Sequence, residues 1–325
     1  MRYLTIFLKT IVIAGLVTIL FGCTEKADVP DEQAAVEEPE QVETEEPTII
    51  SVVETIDIET LERTVVYRGE QHLEAPNWSK DGQFLVLVGD GLHWKLPIEG
   101  GEPEVIDTDF ADDCIHDHGI SPDGALMAIN CRTEEGGDHH IYTVPIEGGV
   151  PTLVTEIGRS YYHGWSPDGS TITYVGFRND DYDIFTMPVK GGEERQVVNS
   201  PELDDGPDYS ADGKYIYYNS LRDSLSQIWR VNVETLEEEQ MTFDDHGDWF
   251  PHPSPDGKWV VFVSHMPGVY EHLANDDVML RMIPAEGGEP KVLAELTGGR
   301  GTITSPSWAP DGKQFAFVSF EVITP

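Results

Sequence analysis

From about residue 49 to its end the chain is a succession of short β-rich runs separated by tight turns. A representative unit opens on Gly164-Trp165-Ser166-Pro167-Asp168-Gly169, continues from Thr171 to Val175, where polar and apolar side chains alternate, and reaches a second run from Asp183 to Val189. Alternation with a period of two marks a strand. Asp-Gly returns at Asp81-Gly82, Asp123-Gly124, Asp168-Gly169, Asp212-Gly213, Asp256-Gly257 and Asp311-Gly312, at intervals of 42, 45, 44, 44 and 55 residues. Proline presets a turn's φ, aspartate closes it with its side chain and glycine takes the left-handed position. Ser-Pro-Asp-Gly therefore predicts a hairpin between the first two strands, A and B, of each unit. Gly-Gly at 100, 148, 191 and 287 predicts the hairpin between C and D. Four short antiparallel strands per ~40–45 residues make an all-β fold, a six-bladed β-propeller.

The last unit stops after its A and B strands, from Phe315 to Phe320, and its missing half stands at the other end of the chain. Val52 to Val66 contains Ile58-Glu59-Thr60-Leu61-Glu62, which repeats Val233-Glu234-Thr235-Leu236-Glu237 at the C-to-D turn of another unit. The N-terminal strands are thus expected to close the last blade and remove the open edges of a partial ring.

Sixty acidic residues against twenty Lys and Arg give a net charge of −40, which excludes nucleic acid and anionic headgroups as partners. Residues 1–22 read as a signal peptide, with Arg2 and Lys9 at the positive end and an apolar stretch from Ile11 to Leu20. Leu20-Phe21-Gly22-Cys23 resembles the lipobox of bacterial lipoproteins, which implies cleavage before Cys23 and lipid on its sulfur; Phe21 is bulkier than the usual residue there. Thr24, where an inner-membrane retention signal has Asp, favours the outer membrane, facing the periplasm or the exterior. Residues 23–48, rich in Glu, Asp, Pro and Gln, form an acidic tether without a core. The propeller spans 49–325 and is expected to be monomeric.

The units resemble the TolB-type (PD40, WD40-like) propeller repeat, whose mark is Trp-Ser-Pro-Asp-Gly-Lys followed by an apolar strand. The resemblance implies the fold and no particular function. TolB itself carries an α/β domain ahead of its propeller, where this chain has the acidic tether. Prolyl oligopeptidase relatives place a hydrolase domain after such a propeller, and no Gly-x-Ser-x-Gly elbow occurs here.

Because the chain runs up and down within a blade, loops can be sorted by face. All eleven histidines fall at the starts of A strands or between B and C, together with Arg68, Arg132, Arg159, Arg178, Arg222 and Arg300; Lys80, Lys190, Lys214, Lys258 and Lys313 cluster at the opposite turns. The A-strand starts look into the central channel. Aligned on Trp78, Ile120, Trp165, Tyr209, Pro253 and Trp308, four blades have Pro two residues earlier and two have His118 and His163. With His116, Asp117, Asp205 and His252, these groups are candidates for holding a divalent metal ion (His118, His163 and His252 as the set), for bonding a ligand directly, or for structural polar contacts. The 55-residue unit inserts a B-to-C loop from His265 to Asp277 containing Tyr270, Glu271 and His272, which is expected either to cover the mouth or to form a surface loop. The aligned aromatic residues are read as packing between blades.

Across the A–B hairpin that turns on Pro122-Asp123-Gly124, facing residues have numbers summing to about 246. Cys114 and Cys131 give 245, and in an oxidising compartment that predicts a disulfide. Two functions fit. One is an envelope lipoprotein that binds a protein or glycan through its His/Arg face, with His116, His118, His163, Asp205, His252, His272, Arg178 and Arg222 as ligand-binding candidates. The other is a metal-assisted lyase or hydrolase on acidic oligosaccharides, as the propeller of oligogalacturonate lyases implies, with His163 or His252 as base and Arg178 or Arg222 on the uronate carboxylate. Those lyases have seven blades.

Overall fold

The computed structural model describes residues 47–134, 136–269 and 271–323. The signal segment, Cys23, nearly all of the tether, and Tyr270 lie outside them. The strands pair antiparallel in six sheets, each a meander of consecutive strands except one. The innermost strands of the first five blades are Glu74–Trp78, Asp113–Ile120, Ser160–Trp165, Asp204–Tyr209 and Gly247–Pro253. The sixth sheet joins the chain ends: Thr48–Asp57 pairs on one side with Arg63–Gly69 and on the other with Gln314–Ile323, in register from Thr48 opposite Ile323 to Asp57 opposite Gln314. Its innermost strand is reduced to a bridge between Trp308 and Phe315. Among the described residues the only helix is the short 3-10 turn Arg222–Ser224.

Period-two alternation explains how the blades hold together. In the first blade Leu85 and Leu87 pack with Val318 and Phe320 of the sixth, while Val86 and Val88, on the other face, pack with Met127 and Ile129 of the second. Val260 and Phe262 point back to the fourth blade, and Val261 and Val263 forward to the sixth. Six apolar clusters result, one at each junction of neighbouring blades, so each sheet is buried on both faces. The aligned indoles add polar links: Trp165 Nε1 donates to the Gly119 carbonyl and Trp308 Nε1 to the His252 carbonyl, each at 2.9 Å.

The repeat motif shows its chemistry in the turns. Ser166 Oγ donates to Asp168 Oδ1 at 2.7 Å and accepts from the Thr171 amide at 3.0 Å, while the Gly169 amide reaches the Ser166 carbonyl at 2.8 Å. Gly169 has φ +70° there, a conformation that glycine adopts without strain. The two Glu-Thr-Leu-Glu segments also match in detail. The Asp57 amide donates to the Glu62 carbonyl and the Asn232 amide to the Glu237 carbonyl, and Leu61 and Leu236 hold φ +61° and +60°. Cys114 stands opposite Cys131 in register and is disulfide-bonded to it.

Candidate functional site at the channel mouth

Every complete inner strand breaks register in the same region, between Glu74 and Asn77, Cys114 and His118, Tyr162 and Gly164, Asp205 and Asp208, and Trp249 and His252. Ala75, Gly206 and Phe250 occupy left-handed conformations at this step, with φ of 53°, 61° and 55°. A bulge re-aims the side chains around it. Buried acceptors hold the displaced backbone: Asn130 Oδ1 takes the Tyr162 amide at 2.6 Å, and Asn219 Oδ1 takes the Phe250 amide at 3.0 Å.

The bulges and the long loop of the fifth blade enclose a cavity of about 540 Å³ at the His-rich mouth, and His116, Asp117, His163, Asp205, His272 and Arg300 line it. His163 Nε2 lies 3.3 Å from Asp205 Oδ1, and His272 Nε2 lies 3.9 Å from the second oxygen of the same carboxylate. His272 is held there by Trp249 and Phe250, whose ring centroids are 4.6 and 5.5 Å away, and Phe250 also stacks on His163. Across the mouth, Glu74 bridges His72 at 3.0 Å and His116 at 3.4 Å, and His116 Nε2 is 3.6 Å from Asp117. Tyr161 and Tyr182 complete an aromatic wall, with Tyr182 Oη fixed by Arg159 at 2.6 Å.

Burial and pairing set the charges. Burial raises the carboxyl of Glu74, but His116 and His72 outweigh it and hold it at about 2. Burial also disfavours the charged forms of His116 and His163; Asp117 and Glu74 at the first, and Asp205 and Asp117 at the second, reverse this and raise both. Desolvation instead lowers His272, against the pull of Asp205. The Nδ1 atoms of His163 and His272 are buried without a hydrogen-bond partner. Arg300 stands close enough to oppose protonation of His116 and His272, and among the described residues no carboxylate pairs with it. The mouth thus offers the Arg300 guanidinium beside the Asp117 and Asp205 carboxylates, against aromatic rings.

Four predicted site residues are elsewhere. His118 follows the bulge, where alternation turns it into the junction of blades: it is fully buried, 3.3 Å from the Val86 carbonyl and edge-on to His93, and burial pushes it down to about 4. His252 sits between Asp208 Oδ2 at 3.1 Å and the Ile303 carbonyl at 2.5 Å. Arg178 is tied to Glu194 by two bonds of 2.8 Å, and Arg222 pairs with Glu238 and covers Trp229. The metal set His118, His163 and His252 is therefore not gathered. Among the described residues only Asp244, Asp245 and His246 bring three ligand atoms within 4.8 Å, and Arg281 occupies Asp244 at 2.6 Å. Arg300 lies on the face its position in the repeat predicts but is not among the site residues expected from the sequence, and neither are Tyr161, Tyr182 and Phe250. Phe250 carried a signal, since it precedes the aligned Pro251.

Residues 158–285 match the TolB beta propeller domain model of the PD40 family. An uncharacterized protein of Agrobacterium fabrum is 46% identical over 271 residues, covering 83% of this chain and 92% of that protein. A solved structure from Agrobacterium tumefaciens, provisionally named TolB, is 45% identical with a TM-score of 0.81, covering 84% of this chain and 99% of that one. TolB from Acinetobacter baumannii is similar in fold, at 18% identity and a TM-score of 0.57, covering 75% of this chain and 56% of that one.

Proposed function

The chain belongs to the TolB-like β-propeller family, and on that footing we propose that it is an envelope-anchored binding protein whose His-rich mouth takes the acidic end group of a glycan. The observation that carries this reading is the convergence of His116, His163, His272 and Arg300 with Asp117 and Asp205 on one aromatic-walled cavity. In a chain of net charge −40, a guanidinium at the cavity with no acidic partner among the described residues is suited to a carboxylate, while Asp117 and Asp205 suit hydroxyl donors. Attachment through Cys23 rests on the lipobox-like Leu20-Phe21-Gly22-Cys23, and the Cys114–Cys131 bridge accords with an oxidising compartment.

Calorimetric titration with uronic-acid oligosaccharides, their neutral counterparts and peptides ending in a free carboxylate tests the reading. Binding of the acidic glycans, weakened about tenfold or more by Arg300→Ala, supports it. Binding confined to the peptides would assign the mouth to a protein terminus instead, and binding indifferent to Arg300→Ala would sink the proposal. The lyase alternative retains His163 alone of its four named residues at the cavity.

A further inference from the structure

Arg300 reaches the His-rich mouth from the connection between the fifth and sixth blades, where it stands in the run Gly299-Arg300-Gly301. From Gly298 to Ser305 every residue is buried except Arg300, which is exposed. Its two neighbours explain how one side chain is held out of a buried run. Gly299 and Gly301 have φ of +117° and +90°, conformations that glycine adopts without strain. The turn is locked from within: the Thr302 amide donates to the Gly299 carbonyl and the Gly299 amide to Thr302 Oγ1, each at 3.0 Å. It is also gripped from two sides. The Arg300 amide donates at 3.0 Å to the carbonyl of Leu273, next to His272, and the Gly301 carbonyl accepts at 2.6 Å from the amide of Ala75, next to Glu74. Neither grip has room for a side chain. A Cβ on Gly299 would lie 1.8 Å from the Leu273 carbonyl oxygen, and one on Gly301 would lie 2.6 Å from Cδ of Glu74. An alanine at either position must push the turn away from its support, and a binding side chain works only within about 0.5 Å of its place.

We propose that Gly299 and Gly301 are positioning residues of the His-rich mouth: they let Leu273 of the fifth blade and the Glu74 strand of the first clamp the backbone of Arg300 between them, and that clamp sets where a ligand's carboxylate is held. This role rests on the reading of the mouth as a carboxylate site. The glycines act through Arg300 and touch no ligand themselves. The clamp also fixes one cation against imidazoles in both halves of the mouth. Arg300 opposes protonation of His272, which faces Asp205, and of His116, which faces Glu74 and Asp117. The place of the guanidinium can therefore be read from those two rings before any ligand is added.

Gly299→Ala, Gly301→Ala and Arg300→Ala are compared with the parent and with Gly268→Ala, whose φ of +94° brings the same kind of strain but whose Cβ meets open space. In NMR titrations of the free full chain, Arg300→Ala should raise the midpoints of His116 and His272. Gly299→Ala should raise that of His272 in the same direction, and Gly268→Ala should move neither. In calorimetry with uronic-acid oligosaccharides, Gly299→Ala and Gly301→Ala should each weaken binding about tenfold or more. If no uronate binds the parent, the function proposed above falls, and the histidine titrations still judge the clamp. If Arg300→Ala weakens binding or moves the two histidines while both glycine variants match the parent, the clamp is overturned and the function stands. Should one glycine variant fail to fold, the other decides. Should both fail, deuterium exchange in the parent decides: the Arg300 amide is expected to exchange at least about tenfold more slowly than in an unstructured chain, and an unprotected amide would overturn the proposal.

Discussion

Glu74→Gln is the sharpest probe of the electrostatics at the His-rich mouth. The Glu74 carboxyl falls from 4.5 to about 2 between two imidazoles, and its side chain is only 17% exposed, so the shift reports interaction inside the fold. A drop of that size corresponds to about 3 kcal/mol of stability. A depressed carboxyl contributes stability that is present above its unfolded value and lost as pH falls through its folded value. The Glu74 term should therefore be nearly complete at about pH 5.5, about 1 kcal/mol at about pH 3, and gone below the folded value. His72 and His116 are raised, so their part is present below 6.5 and lost as pH rises through their folded values; the His72 share is discounted because its side chain is 44% exposed. Urea unfolding of the parent and the variant across this range should show the largest difference between 4.5 and 6.5 and a smaller one on either side. A difference that stays constant from about pH 3 to about pH 8 would refute the reasoning, because Glu74 would then act only by shape.

Three further outcomes follow from the fold. Cys114→Ser with Cys131→Ser opens a loop of sequence separation 17 and should cost about 3 kcal/mol in chemical denaturation, with the parent matching the variant once reduced. Ser166→Ala removes both a donor to Asp168 and an acceptor for Thr171 and should lower stability by about 1–2 kcal/mol; Ala309→Ser, which restores the motif in the one turn that lacks its serine, should raise it by about 0.5–1 kcal/mol in the same assay. Gly206→Ala forces φ +61° on an alanine and sets its Cβ 2.7 Å from Asn219 Oδ1, so its melting temperature should fall by several degrees, whereas Gly82→Ala, with open space around its Cβ, should lose less.

Strand order and turn chemistry were legible because both are local. Asp-Gly spacing gives the blades, Glu-Thr-Leu-Glu reports the C-to-D turn wherever it occurs, and the Cys114–Cys131 register follows from a single hairpin. The site was half legible. His116, His163, Asp205 and His272 were found because position in the repeat selects the mouth and because the inserted loop is an obvious excess of length. His118 and Arg178 went astray for a reason that position in the repeat does not carry. A bulge between Cys114 and His118 displaces the strand, so facing residues sum to 245 before it and to 247 after it, and a histidine that a regular strand would hold at the channel turns into the junction of two blades. Arg178 and Arg222 lie on the predicted face, but the outer strands supply Glu194 and Glu238 within bonding distance, a pairing across the sheet that no spacing along the chain displays. Arg300 is the converse: among the described residues no carboxylate pairs with it and it lines the cavity, a combination that becomes visible only once the acids and the cavity have been placed in space.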